Sequence, residues 1–158
     1  MSNEPAPKTE LKSNQIVRIH GLVCAGAFSF RIASAAVFGS AAVGRATAHS
    51  DIDLLVVSSD VPDQRHRRSP LIAEIKRSLP GVALDVLLLT PAEVESNFAN
   101  HNPNPLFLDI AEDALVLVDS DGSLRQAIER TRRYVRQRGI VRTATGWRFP
   151  VAAGAPTL

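Results

Sequence analysis

Short apolar runs in this chain alternate with segments whose apolar residues recur every three or four positions. That alternation predicts strands separated by helices, an α/β arrangement. Ala35 to Phe38 is apolar throughout and reads as a first, buried strand. Ile52 to Val57 is the second strand, Val82 to Leu89 the third, and Ala114 to Val118 a fourth. Helical spacing of Ile16, Ile19, Val23 and Ala27 predicts a helix from Ser13, its N-cap, to about Phe30. A second helix runs from Pro70 to Leu79, with Leu71, Ile72, Ile75 and Leu79 on one face, until Pro80-Gly81 stops it. Thr90-Pro91-Ala92-Glu93 has the form of a capping box opening a short helix. Leu106 to Glu112 reads as a further helix, and Asp121-Gly122-Ser123 opens the last long one. That helix turns Leu124, Ile128, Thr131 and Val135 inward and ends at Gly139.

The connections follow from what is left. Ser58 to Ser69 is a polar loop carrying Arg65, Arg67 and Arg68, and Asn97 to Pro105 is an Asn- and Pro-rich loop. Ile140 to Phe149 reads as a small hairpin turning near Thr145-Gly146, with Trp147 as a packing anchor. The expected organisation is a disordered leader over 1–12, one domain over 13–150 and a frayed tail over 151–158.

Composition narrows the class without naming it. At 158 residues the chain suits one domain with a real core. No apolar run approaches the roughly 20 residues that span a bilayer, and the polar start shows no secretory signal. The single cysteine, Cys24, excludes an internal disulfide, fits a reducing cytoplasm and is expected to pack against the sheet as a small apolar residue. No Ser-His-Asp set, Cys-His pair or Gly-x-Gly-x-x-Gly fingerprint appears, and His20, His66 and His101 lack metal-binding spacing. His49 reads as an exposed loop histidine.

The candidate chemistry lies between Phe38 and Leu89. Asp51 and Asp53 stand two apart at the leading end of a strand, so both carboxylates leave the same face. Like charges that close raise one pKa unless a cation lies between them, and Mg²⁺ commonly takes one or two carboxylates together with substrate phosphates. Asp85 interrupts an otherwise apolar strand, where an unpaired buried carboxylate is costly. Upstream, Gly39 lets backbone N–H groups approach a phosphate, and the Ser40 hydroxyl can donate to it. Gly44 allows close packing in the loop, and Ser50 is a turn residue that positions the acid pair; both are grouped with Gly39 and Ser40 as nucleotide-binding positions. Arg45 is either solvated or a phosphate contact.

Gly39-Ser40, a spacer and Asp51-Ile52-Asp53 together resemble the signature of the DNA polymerase β-like nucleotidyltransferase superfamily, with the greatest similarity to its minimal nucleotidyltransferase (MNT) proteins. The resemblance implies a small mixed β-sheet with flanking helices. It also implies a Gly-Ser bend that holds the triphosphate, and a catalytic, metal-binding set of Asp51, Asp53 and Asp85. The implied cofactor is Mg²⁺, with Mn²⁺ as the alternative, and the implied substrate is ATP or another NTP. The implied reaction moves AMP onto a hydroxyl of a HEPN-type toxin, the chain being its antitoxin. Nucleotide addition to RNA, especially a tRNA end, and a catalytically idle binding module are the competing expectations. Gly122 to Phe149 holds eight arginines against one acid, Glu129, so this segment is either a solvated helix face or a docking surface for an acidic partner or a phosphodiester backbone. No membrane partner is expected, and an oligomer is compatible with this reading.

Overall fold

The computed structural model describes residues 8–47, 49–98 and 104–150, with side chains from residue 12 onward. A four-stranded sheet in the order β3-β2-β1-β4 forms its centre. The strands are β1 (Ser34–Phe38), β2 (Ile52–Val57), β3 (Leu84–Leu89) and β4 (Leu115–Asp119). β1 runs antiparallel to both neighbours, whereas β2 and β3 are parallel, so the sheet is mixed as expected. The parallel pair needs a crossover, and α2 (Ser69–Ser78) supplies it. α1 (Lys8–Ala25) precedes the sheet, while α3 (Pro91–Asn97) and α4 (Pro105–Asp113) lie between β3 and β4. α5 (Ser123–Arg138) leads into a hairpin of β5 (Val141–Thr143) and β6 (Gly146–Arg148).

Two apolar layers cover the two faces of the sheet. Ile19, Val37, Ile52, Leu54, Val56, Ile75 and Leu88 fill one layer, under α1 and α2. Ala36, Phe38, Leu55, Leu89, Phe98, Phe107, Ile110, Leu124 and Ile128 fill the other, under α3, α4 and α5. Alternate residues of each strand serve opposite layers, which is why the central strands read as unbroken apolar runs. Phe98 and Phe107 meet edge to face with centroids 5.0 Å apart, joining α4 to the segment after α3.

Several boundaries differ from the expected ones. α1 is already helical at Lys8, so the leader expected over 1–12 gives way to helix there; residues 1–7 lie outside the described residues. Lys12 is buried and donates from Nζ to the Ser50 carbonyl at 2.5 Å, a tie that needs α1 to extend this far. The helix stops at Ala25, short of Phe30, because Gly26 adopts φ +66°. Cys24 is exposed rather than packed on the sheet. β4 is an edge strand and only half-buried, with Leu115 open to solvent. Val135 is half-buried, and Ala127 joins Leu124, Ile128 and Thr131 on the covered face of α5. The tail expected over 151–158, and most of the Asn- and Pro-rich loop, lie outside the described residues.

Arg68, expected in a polar loop, is only 2% exposed. It donates to the carbonyls of Pro62, Leu88 and Asp63 at 2.7, 2.9 and 2.9 Å and forms an ion pair with Glu93. Thr90 caps α3 as expected, accepting from the Glu93 amide at 3.2 Å, but the Glu93 carboxylate turns mainly to Arg68. That Arg68 hydrogen bond holds the Glu93 carboxyl below its usual range. A lowered folded pKa gives stability that is present above the unfolded value and is lost as pH falls through the folded one. Glu93→Ala should therefore cost about 3 kcal/mol by stranding a buried guanidinium. Urea titration should show that difference at pH 7 and show it shrinking well below pH 4.

Candidate active site

At one end of the sheet the register aligns Phe38, Asp53 and Asp85 across three neighbouring strands. Laterally paired residues point to the same face, so Asp53 and Asp85 stand side by side, on the face that carries Phe38. The chain then leaves β1 through a tight 3₁₀ turn, Gly39–Ala41. Two backbone bonds fix the bend: Ala42 N–H to Gly39 C=O at 3.1 Å, and Arg45 N–H to Ser40 C=O at 2.9 Å. Gly39 sits at φ +68°, where L side chains are strained. A Cβ on Gly39 would also collide with Asp53 Oδ2, so backbone and carboxylate share space that only glycine leaves open.

The pKa of Asp53 is raised, first by partial burial, then by the charge of Asp85, then by that of Asp51. Asp53 and Asp85 are two hard oxygen donors that repel one another on one face, a pair that suits a divalent cation shared with substrate phosphates. Among the described residues, no group of three acidic, His or Cys side chains is arranged to hold a metal ion by itself.

A cavity of about 540 Å³ opens over this end of the sheet. Gly39, Ser40, Asp53 and Asp85 line it, so one hollow holds four of the positions expected from sequence. Asp51 is exposed, one residue before β2, and is not part of the lining. Gly44 lies in a separate small hollow with Lys12, Ser13, Ala41 and Ala46. Ser50 serves the turn: its hydroxyl accepts from the Thr47 amide at 3.0 Å, and its carbonyl accepts from Lys12. Neither Gly44 nor Ser50 lines this cavity.

Sequence reasoning missed the far wall. Leu106, Asp109 and Asp113 of α4 and Arg142 of β5 all line the cavity. Arg142 donates from both terminal nitrogens to Asp113, at 2.8 and 2.7 Å, and from one of them to Asp109 at 3.1 Å. Trp147 Nε1 donates to Asp109 at 2.9 Å. The spacing of Asp109 and Asp113, four apart on one helix, was a usable signal, since like charges so placed call for a cation. Arg45, left open by the sequence, lines the cavity beside Ser40.

The Gly39 bend, the paired carboxylates of Asp53 and Asp85 and the cavity they line stand together at one end of the sheet. The chain belongs to the nucleotidyltransferase domain family, whose model matches residues 24–137, as the Gly39-Ser40 and Asp51-Ile52-Asp53 resemblance implies. It is a nucleotidyltransferase. It is 26% identical over 117 residues to a Methanocaldococcus jannaschii protein assigned, by name alone, as a protein adenylyltransferase, covering 72% of this chain and 77% of that one. Among solved structures it is similar to a toxin–antitoxin with AMP-PNP, at 18% identity and TM-score 0.45, over 80% of this chain and 91% of that one. It is also similar to a tri-AMPylated Shewanella oneidensis HEPN toxin in complex with MNT antitoxin, at 16% identity and TM-score 0.39, over 83% and 92%. No helix among the described residues is long and apolar enough to cross a membrane.

Proposed function

We propose that this chain transfers AMP from ATP to a hydroxyl on a partner protein, acting as the MNT antitoxin of a HEPN-type toxin. The observation that carries the transfer reaction is the alignment of Asp53 and Asp85 in one register beside the Gly39 bend, within one cavity. The protein acceptor rests on the assigned activity of the archaeal relative and on the sequence resemblance to MNT proteins.

Gly39 and Ser40 hold the β- and γ-phosphates through backbone N–H groups and the serine hydroxyl. Asp51 and Asp53, with Asp85 completing the set, would hold Mg²⁺. When bound, the ion neutralises phosphate charge and lowers the pKa of the acceptor hydroxyl. Asp85 is exposed at the edge strand, on the side from which an acceptor can approach, and is placed to take the hydroxyl proton. The acceptor oxygen forms a new bond to the α-phosphorus, the α–β anhydride bond breaks, and pyrophosphate leaves with its electron pair.

Three of the six arginines of α5 have hydrogen-bond partners within the fold, which leaves fewer of them for RNA. Arg130 meets Glu95, Arg136 meets Glu129, and Arg132 donates to the Ala111 and Glu112 carbonyls at 2.6 and 3.3 Å. Incubation with α-labelled ATP, Mg²⁺ and cell lysate tests the reading. The expected result is a ribonuclease-resistant protein band heavier by AMP, absent with an Asp51→Ala/Asp53→Ala double variant. Ribonuclease-sensitive label would move the acceptor to RNA, and no label with wild type would overturn the reading.

A further inference from the structure

One residue of the far wall, Arg142, comes from outside the family-matched span. That span ends at residue 137, whereas Arg142 lies on β5 and Trp147 on β6. The two are cross-strand partners, and the Arg142 guanidinium carbon lies over the Trp147 ring, 5.6 Å from its centroid. The rest of the hairpin is exposed, so these two side chains fasten it to α4.

Arg142 is thus fixed from two directions, in plane by Asp109 and Asp113 and from one side by Trp147. Asp113, the stronger anchor, is only 12% exposed, whereas Arg142 is 41% exposed and lines the cavity. The paired carboxylates outnumber the guanidinium, so the cluster is not an attractive place for phosphate. A guanidinium pinned by two carboxylates and in contact with an aromatic ring is instead suited to stacking on another flat ring. Leu106 and Val43 add apolar lining to the same cavity, as a base would need. Position agrees. Asp113 lies two residues before Leu115, which pairs with Val37 on the β4 side of β1, away from the β3 edge where Asp85 stands.

We infer that Arg142, held by Asp109, Asp113 and Trp147, is the stacking platform for the nucleobase of the bound NTP. This rests on the nucleotidyltransferase reading of the cavity and adds a specificity-determining residue to it.

The test compares binding of α,β-methylene-ATP and of inorganic tripolyphosphate, both with Mg²⁺, by calorimetry. Arg142→Ala should weaken the nucleotide about ten-fold, the worth of one stacked base, and leave tripolyphosphate within about two-fold. Arg142→Lys, which keeps the charge but not the plane, should lose nearly as much and so separates stacking from ion pairing. Arg142→Ala should also narrow the preference for the ATP analogue over its CTP counterpart. Equal affinity for the nucleotide in wild type and Arg142→Ala overturns the assignment, as does parallel loss of nucleotide and tripolyphosphate. Wild type that binds neither probe would overturn the nucleotidyltransferase reading itself, a distinct outcome.

Discussion

Asp53→Asn is expected to abolish AMP transfer while making the metal-free protein more stable. The carboxylate sits half-buried beside Asp85, and its pKa is raised by burial and by the two neighbouring charges. A raised folded pKa means that the protein binds this proton more tightly folded than unfolded. Its contribution to stability is complete below the unfolded pKa and is lost as pH rises through the folded one. At neutral pH the ionised group therefore works against the fold, and the amide removes that penalty. Scanning calorimetry in chelator should give a higher Tm for Asp53→Asn than for wild type at pH 7, with the two converging toward pH 4. Added Mg²⁺ should raise Tm for wild type and not for the variant. Transfer should fall by about three orders of magnitude or more, since a bound metal supplies several kcal/mol of transition-state stabilisation. Unchanged transfer would remove Asp53 from the catalytic set, and a Tm below that of wild type would refute the electrostatic account.

Gly39→Ala is expected to be the most damaging single-methyl change in the chain. Two independent costs fall on it. At φ +68° an alanine is strained by about 1 kcal/mol or more. The new methyl would also occupy the place of Asp53 Oδ2, so the carboxylate must swing away or the bend must open. Either response separates the turn proposed to bind phosphate from Asp53, and misplacement on the scale of 1 Å can cost about 10²-fold. Transfer should therefore fall by at least about that factor, with a loss in urea stability of about 1–3 kcal/mol. A variant that is destabilised but fully active would show that the bend and Asp53 do not act together.

Much of this was legible because one period governed each stretch. β1, β2 and β3 were readable as apolar runs, and the Pro70 helix from its one-faced leucines and isoleucines. The acid pair stood out because charge at a strand end is conspicuous, and Asp85 because it broke an apolar run. What escaped notice depends on pairing across distance. Nothing near Arg68 in sequence announces that Glu93 and three carbonyls will surround it, so it read as a loop residue. The Asp109–Arg142 contact joins a helix to a hairpin after a long intervening stretch, and neither segment alone marks a cavity wall. Cys24 faces solvent because it stands next to Val23 on the helix, off the face through Ile19 and Val23 that packs on the sheet.

On the proposed roles of Asp53 and Asp85, the pairing of β2 with β3 puts catalysis and folding under the same constraint. If β3 docked one residue out of step, Asp85 would turn toward the layer occupied by Leu84, Val86 and Leu88, and those three toward the hollow. A mispaired sheet would thus bury a charge and dismantle the acidic cluster in a single event. Competence to bind nucleotide is therefore also a report that the parallel strands have aligned, and a misaligned chain has no route to partial activity.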